Sequence, residues 1–383
     1  MIASSSRQPS RNFCIGLDAS RSIARHPTGT ELYSRYLIDA LIERAPANYT
    51  VRLYFNHAQQ SVISHQYSAL KDQRSEIRNL PFPRLWTHIR LSFEMLTRPP
   101  DLLFVPAHVL PVLHPRRSVV TVHDLGYLYF PEAHPPKQRW YLDHSTRWHT
   151  RTAAYLIADS AATKRDLIDR YRARPDRISV AYPGLDPALR RIEAAHEIER
   201  VKVKYRIDGE YVLYVGTLQP RKNLSRLIEA FAACHLPLIL VIAGKPGWYY
   251  DQLIKEAGSR ARFVGYVDDA DKAALLSGAK AFAFPSLYEG FGFPVLEAMA
   301  CGTPVLCSNT SSLPEVAGEA ALQIDPLQVA ELARGLARIT TDEDLRGTLI
   351  ARGYAQAKKF TWQACADVVL GVFDQLLSPF PTH

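Results

Sequence analysis

The chain has 383 residues, 47% of them hydrophobic and 22% charged, with a mean hydropathy of −0.13. This is a globular composition, and no apolar run reaches the roughly 20 residues of a membrane span. Lys and Arg exceed Asp and Glu by 46 − 38 = +8, and the excess is one-sided: 25 − 15 = +10 in residues 1–185, 21 − 23 = −2 in residues 186–383.

Residues 1–10 read as a disordered start. FCIGLDA (13–19) predicts a strand, and ELYSRYLIDALIERA (31–45) a helix that sets Tyr33, Tyr36, Leu37, Ala40 and Leu41 on one face. VRLYFN (51–56) is a second strand. In PRLWTHIRLSFEML (83–96), Leu85, Ile89, Phe93 and Leu96 share a face while Arg84, His88 and Arg90 are polar. An interfacial helix and an ordinary core-facing helix both fit. Strands follow at 102–107, 119–124, 155–160 and 178–183. The charged stretch DPALRRIEAAHEIERVKVKY (186–205) holds no strand and reads as a helical connector. Beyond it come strands at 211–216, 238–244, 262–267, 281–286 and 303–308, with helices between them such as 223–233 and 294–301. Strand–helix alternation of this length predicts an α/β protein with two doubly wound, Rossmann-like parallel sheets. The domains run over 11–185 and 206–360, with 186–205 as linker and 361–383 as a closing segment. In such sheets ligands bind at the carboxyl ends of strands, near helix N-termini.

Three segments meet that rule. In FPSLYEGFGFPVLEAMACGTPV (284–305), Gly290-Phe291-Gly292 allows close backbone approach between a strand and a helix that opens near Pro294 and closes at Gly302. Glu289 and Glu297 flank this turn. A carboxylate beside an anion site repels phosphate, so each is read as accepting hydrogen bonds from sugar hydroxyls; the bland alternative is a helix cap. In YVGTLQPRKNLSRLIEAF (214–231), Gly216 and Thr217 lead from a strand to Arg221 and Lys222 at a helix start. Two cations there suit a diphosphate, although a solvated pair would look the same. In TVHDLGYLYFPE (121–132), His123 ends a strand and can hydrogen-bond a hydroxyl or move a proton. His26-Pro27-Thr28-Gly29 opens the first helix, with Gly29 a further point of close approach.

Several classes are excluded. There is no G-x-x-x-x-G-K-[ST] loop, no G-x-G-x-x-G after the first strand and no G-x-S-x-G elbow. A P-loop kinase, a nicotinamide dehydrogenase and an ordinary α/β-hydrolase are therefore set aside. Asp269-Ala270-Asp271 and Asp342-Glu343-Asp344 read as helix caps rather than metal ligands. Cys14, Cys234, Cys301, Cys307 and Cys365 are odd in number and scattered, which argues against a disulfide framework or zinc knuckle and fits a reducing cytosol.

On these motifs the sequence resembles the retaining glycosyltransferases of family 4, of GT-B architecture, in particular bacterial mannosyltransferases of polysaccharide and lipid-linked glycan assembly. The resemblance runs from about residue 13 to residue 375. Glu289 to Glu297 followed by AMACGTPV looks like the family's Glu–seven residues–Glu motif, and GTLQPRKN like its phosphate-binding turn. VVTVHDLGYLYFPE resembles the acceptor-domain histidine segment, and FTWQACADVVLGVF (360–373) the helix that crosses back onto the first domain. The resemblance implies a hexose moved from a GDP- or UDP-linked donor to a glycan or lipid-linked acceptor, with mannose preferred, and no metal or other cofactor. Glu289 and the amides of Gly290, Phe291, Gly292 and Phe293 would hold the donor sugar, and Glu297 the ribose. Arg221 and Lys222 would neutralise the diphosphate, Gly29, Gly216 and Thr217 would border it, and His123 would touch sugar or acceptor. Lys245 would lie near the base. Gly29-Thr30-Glu31-Leu32 departs from the family's Gly-x-Gly-Arg, so no cation is expected from that loop. No carboxylate nucleophile is evident in the first domain, so front-face displacement is expected.

The start, MIASSSRQPSRN, lacks the apolar core of a signal peptide. The expected location is cytoplasmic, peripheral at the inner membrane face if the basic first half meets anionic lipid; solvated surface charge is the other reading. Nucleic acid is not expected, for no zinc-finger, RNP or basic-zipper pattern accompanies the charge. Two rivals remain: a nucleotide-sugar epimerase or hydrolase on the same fold, and a non-catalytic sugar-nucleotide-binding subunit.

Overall fold

A computed structural model describes residues 11–23, 29–56, 75–107, 109–245, 250–258 and 261–378. The expected disordered start and His26-Pro27-Thr28 lie outside the described residues.

Two wholly parallel sheets form the framework. The first contains β1 (Phe13–Asp18), β2 (Tyr49–Phe55), β3 (Ser75–Asn79), β4 (Leu102–Val105), β5 (Ser118–Val122), β6 (Tyr155–Ala158) and β7 (Ile178–Val180), in spatial order β3-β2-β1-β4-β5-β6-β7. The second contains β8 (Tyr211–Val215), β9 (Ile239–Ala243), β10 (Ala261–Gly265), β11 (Ala281–Phe284), β12 (Val305–Ser308) and β13 (Ala321–Ile324), in order β10-β9-β8-β11-β12-β13. β4, β5, β6, β11 and β12 are buried along their whole length. Such strands, covered on both faces, read as unbroken apolar runs rather than alternating ones. In each sheet the chain order reverses beside the first strand, between β1 and β4 and between β8 and β11. A crevice opens at such a reversal, outside the carboxyl ends of the strands.

The connector is shorter in helix than its charge pattern predicts, spanning Ala195–Lys204. It packs on the second half: Val201 sits in that core, and Arg200 and Lys204 pair with Asp271 at 2.8 and 2.5 Å. The last helix, Trp362–Leu377, returns to the first half. Trp362, Cys365, Val369 and Phe373 share a core with Ile15, Leu17 and Leu37, and Arg44 pairs with Asp367 at 2.5 Å. The return is tight at Gly184, where a Cβ would lie 2.3 Å from the Trp362 nitrogen. Gly184→Ala is expected to cost about 1–3 kcal/mol of stability, the range for overpacking. Thermal denaturation checks it: a Tm equal to that of the native chain would mean that the last helix does not bear on Gly184.

The halves also meet away from this hinge. The Glu315 carboxylate accepts from the amides of Ala161 and Ala162 at 2.8 and 2.9 Å, the open end of helix Ala161–Tyr171. Tyr288 stacks on Tyr129 and donates to Asp166 at 2.7 Å.

Candidate active site

The crevices of the two sheets face one another across a cleft of about 430 Å³. All twelve residues singled out from sequence line it: Gly29 and His123 from the first half, Gly216, Thr217, Arg221, Lys222, Glu289, Gly290, Phe291, Gly292, Phe293 and Glu297 from the second.

The second half supplies the charge. β8 and β11 are hydrogen-bonded neighbours, so the loops that leave their carboxyl ends run together, and the Leu287 amide donates to the Arg221 carbonyl at 2.8 Å. After β8 the chain makes a short 3-10 turn, Pro220–Lys222, and Asn223 adopts φ 60° before helix Leu224–Ala233 begins. Asparagine tolerates that left-handed conformation better than most residues. The turn aims both cations at Glu289: Arg221 Nη1 donates to Oε2 at 2.8 Å, Lys222 Nζ to Oε1 at 2.5 Å. Arg221 also holds the Tyr288 carbonyl at 2.8 Å. Burial alone would push the Glu289 carboxyl up, but Lys222 and Arg221 outweigh it and hold it at about 2. Burial, with Arg221 alongside, brings Lys222 down to about 8 despite Glu289. The cluster is thus one buried carboxylate between two cations, with one positive charge left over.

The Gly-Phe-Gly turn is held from behind. Ser312 Oγ donates to the carbonyls of Glu289 and Phe291, and Ser311 Oγ accepts from the Glu289 amide. The amides of Gly290, Phe291, Gly292 and Phe293 donate to no acceptor among the described residues. They stand at the N-terminus of helix Phe293–Ala300, the positive end of its dipole. The Phe291 ring is buried against Phe293 and Phe360, which leaves its backbone as what it can offer the cleft. Gly290 has a reason that sequence did not reveal. A Cβ there would lie 2.2 Å from the His123 carbonyl, so this glycine lets the two halves meet. Gly29 is unlike it: a Cβ would have only Phe293 nearby, at 4.0 Å.

Deeper along the second half, Glu297 takes the Lys272 ammonium at 2.5 Å. Lys272 lines the cleft with Lys245, Tyr266 and Asp269. The Tyr266 ring is exposed and Lys245 lies 5.1 Å over it. The acidic run here divides in two, and neither part is the cap expected from sequence. The helix starts at Asp269, its N-cap Asp268 makes no side-chain cap bond, and Asp271 is spent on the connector helix. Asp269 is left facing the cleft. In the other run the expectation holds, for Asp342 caps its helix by accepting from the Leu345 amide.

From the first half, His123 Nδ1 lies 2.6 Å from Asp159 Oδ2, and His123 Nε2 is buried with no partner among the described residues. Burial pushes the imidazole down, but Asp159 outweighs it and the net shift is upward. Asp159 is itself pushed up by burial, against the pull of His123. The buried carboxylate thus braces the imidazole through Nδ1, with Tyr33 packed edge-on to the ring. Sequence reasoning missed Asp159, although it ends β6 as His123 ends β5. It also found no carboxylate nucleophile in the first domain. Asp124 and Asp159, each just past a strand, line the cleft, as does Asp186 at the start of the connector.

Two family models cover the chain: Glycosyltransferase Family 4 matches residues 27–189, and Glycosyl transferases group 1 matches residues 196–356. The chain is 36% identical over 279 residues to the O-antigen chain mannosyltransferase B of Escherichia coli, covering 68% of this chain and 71% of that protein. It is 31% identical to the serotype-specific mannosyltransferase WbdA of the same species, over 69% of this chain but only 34% of that longer protein. Among solved structures, a sucrose-phosphate synthase from Thermosynechococcus elongatus superposes with a TM-score of 0.70 at 21% identity, covering 95% of this chain and 99% of the other. Anabaena HepE, solved with UDP and glucose, does so at 0.68 and 19%, covering 94% and 99%. At such identities the likeness is one of fold. Two facing parallel α/β sheets, a cleft charged from one side, and a relative this similar over two thirds of both chains lead to one assignment: the chain belongs to the family 4 glycosyltransferases, with the GT-B fold.

Proposed function

We infer that the chain moves mannose from GDP-mannose to a glycan or lipid-linked acceptor in polysaccharide assembly, with retention at the anomeric carbon. The observation that carries this is the buried Arg221–Glu289–Lys222 cluster beside the unpaired amides of Gly290 to Phe293. It presents positive charge and free N–H groups where a diphosphate and its sugar need them. In the resting cleft Glu289 occupies both cations. A donor diphosphate competes for them and frees the carboxylate to accept from sugar hydroxyls. The ribose takes the place of Lys272 on Glu297 in the same way.

The base follows from the other end of the cleft. Guanine offers two N–H donors, N1 and N2, beside the O6 acceptor; uracil offers one donor between two acceptors. A carboxylate accepts from both guanine donors at once; Asp269, which in the resting cleft pairs with the Tyr266 hydroxyl, turns to do so while Lys272, released from Glu297, meets O6. The Tyr266 face supplies a stacking surface, worth about 1–3 kcal/mol per base. Mannose rests on the named activities of the relatives. The Arg221 and Lys222 charges meet the departing diphosphate, so no metal is called for in this reading.

For the transfer, the bond from the anomeric carbon to the β-phosphate oxygen breaks as the acceptor hydroxyl bonds to the same face. The departing phosphate oxygen takes the acceptor's proton. His123, fixed by Asp159, holds sugar or acceptor through Nε2. The test is turnover of GDP-mannose and UDP-glucose with an acceptor extract, reading nucleotide released and the anomer formed. GDP-mannose is expected to be used with retention, and Asp269→Asn to erode the preference for GDP over UDP by about tenfold or more. An inverted product, or a preference for the guanine donor unchanged in Asp269→Asn, would overturn the reading. Nucleotide release that needs no acceptor would favour the epimerase or hydrolase rival.

A further inference from the structure

Three segments of the first half meet on a surface that the donor cleft does not use. The helical stretch Thr87–Leu91, wound as a π-helix, continues into helix Ser92–Thr97. Trp86, Leu91 and Met95 enter the core beneath. Leu85, Ile89, Phe93 and Leu96 turn outward and are 65, 49, 58 and 63% exposed. This decides between the two readings that the sequence pattern left open: the face is not core-facing. The Leu113 amide bonds Ser92 Oγ at 3.2 Å, bringing exposed Val112 and Leu113 alongside. Helix Pro136–Thr152 joins through His88 to Tyr141 at 2.9 Å and through the Leu110 amide to His149 at 3.2 Å. That helix exposes Trp140 and Trp148.

Apolar side chains grouped in this way mark a surface that something covers. The charge around them says what. Arg84 and Arg116 are exposed beside Leu85 and Leu113 in the chain, Arg90 lies 5.8 Å over the Phe93 ring, and Arg139, Arg147 and Arg151 are exposed on the tryptophan-bearing helix. The half that carries them has a net charge of +10 by count. Two such faces would repel, which disfavours a second copy. Apolar and tryptophan side chains rimmed by arginine match the boundary between headgroups and acyl chains of an anionic bilayer.

We propose that this face, built from Leu85, Ile89, Phe93, Leu96, Trp140 and Trp148 with its arginine rim, docks the protein on an anionic membrane surface. The proposal does not depend on which donor the cleft takes. The test is sedimentation of the full chain with vesicles of phosphatidylcholine, with and without phosphatidylglycerol, while tryptophan emission is followed. The native chain is expected to pellet with the phosphatidylglycerol vesicles, less so at high salt, and its emission to shift to the blue. Phe93→Ser with Leu96→Ser should lower the partition about tenfold or more, and Arg84→Gln with Arg116→Gln should weaken it on the anionic vesicles alone. These side chains are exposed, so both variants should melt like the native chain and bind GDP unchanged, which separates this test from that of the donor site. Three results would overturn the proposal: no pelleting, equal pelleting of the native and Phe93/Leu96 chains, or a native dimer that the double substitution makes monomeric.

Discussion

Arg221→Ala and Lys222→Ala are each expected to lower kcat about 10²–10³-fold, the loss measured when one preorganised donor to a developing negative charge is removed. The two cations differ in what else they do. Arg221 also fixes the Tyr288 carbonyl, whereas Lys222 spends all its hydrogen bonding on Glu289. KM for the donor should therefore rise with both, and the β11 loop should loosen only in Arg221→Ala. Single-turnover rates with saturating donor check the kcat effect; native-like values in either variant would remove that cation from the chemistry. Lys222 adds a pH signature. Its ammonium is pushed down to about 8 in the free protein, first by burial and then by Arg221. It is charged below that pH and loses its proton as pH rises through it. The kcat/KM for the donor should accordingly be flat to about pH 8 and then fall by up to about tenfold per unit. Lys222→Arg should abolish the break, because a guanidinium does not titrate there.

Glu289→Gln separates binding from transfer. In the native cleft this carboxylate is the counter-ion of both cations, held at about 2 by Lys222 and Arg221 against the upward push of burial. Removing its charge leaves two buried cations side by side. The cost is expected to be about 3–5 kcal/mol, as for breaking a buried ion pair. A nucleoside diphosphate then supplies the missing negative charge. GDP should raise the Tm of Glu289→Gln more than that of the native chain, by linkage of binding to folding, while transfer falls because the sugar has lost its charged acceptor. Melting curves with and without GDP test this. An equal or smaller shift in the variant would mean that the diphosphate does not displace Glu289 from its cations.

Much of this was visible in the sequence because the physics is local. Buried parallel strands such as LLFV and AFAF announce themselves as short apolar runs, and the residues just after them are where an α/β sheet places its ligands. β3 and β13 were missed for the opposite reason. Each is the edge strand of its sheet, and SEIRN and ALQI carry few β-branched or aromatic residues. The Lys272 partner of Glu297 comes from the helix Asp269–Ser277 and the Asp159 partner of His123 from the end of another strand, and no spacing links either pair. The role of Gly290 was hidden likewise, for the atom that excludes a side chain there belongs to the other half. Asp271 looked like a cap because its real partners, Arg200 and Lys204, lie on the connector helix.

The central claim is that the Arg221–Lys222 turn and Glu297 form one nucleoside diphosphate site. Calorimetric titration of GDP and of UDP into the native chain, Arg221→Ala and Glu297→Gln tests it most directly. The account predicts one GDP per chain, UDP bound more weakly, and affinity lowered about tenfold or more in each variant, one lost charge-assisted hydrogen bond being worth about 1.5–3 kcal/mol. Absence of binding by either nucleotide, or equal affinity in all three proteins, would contradict it.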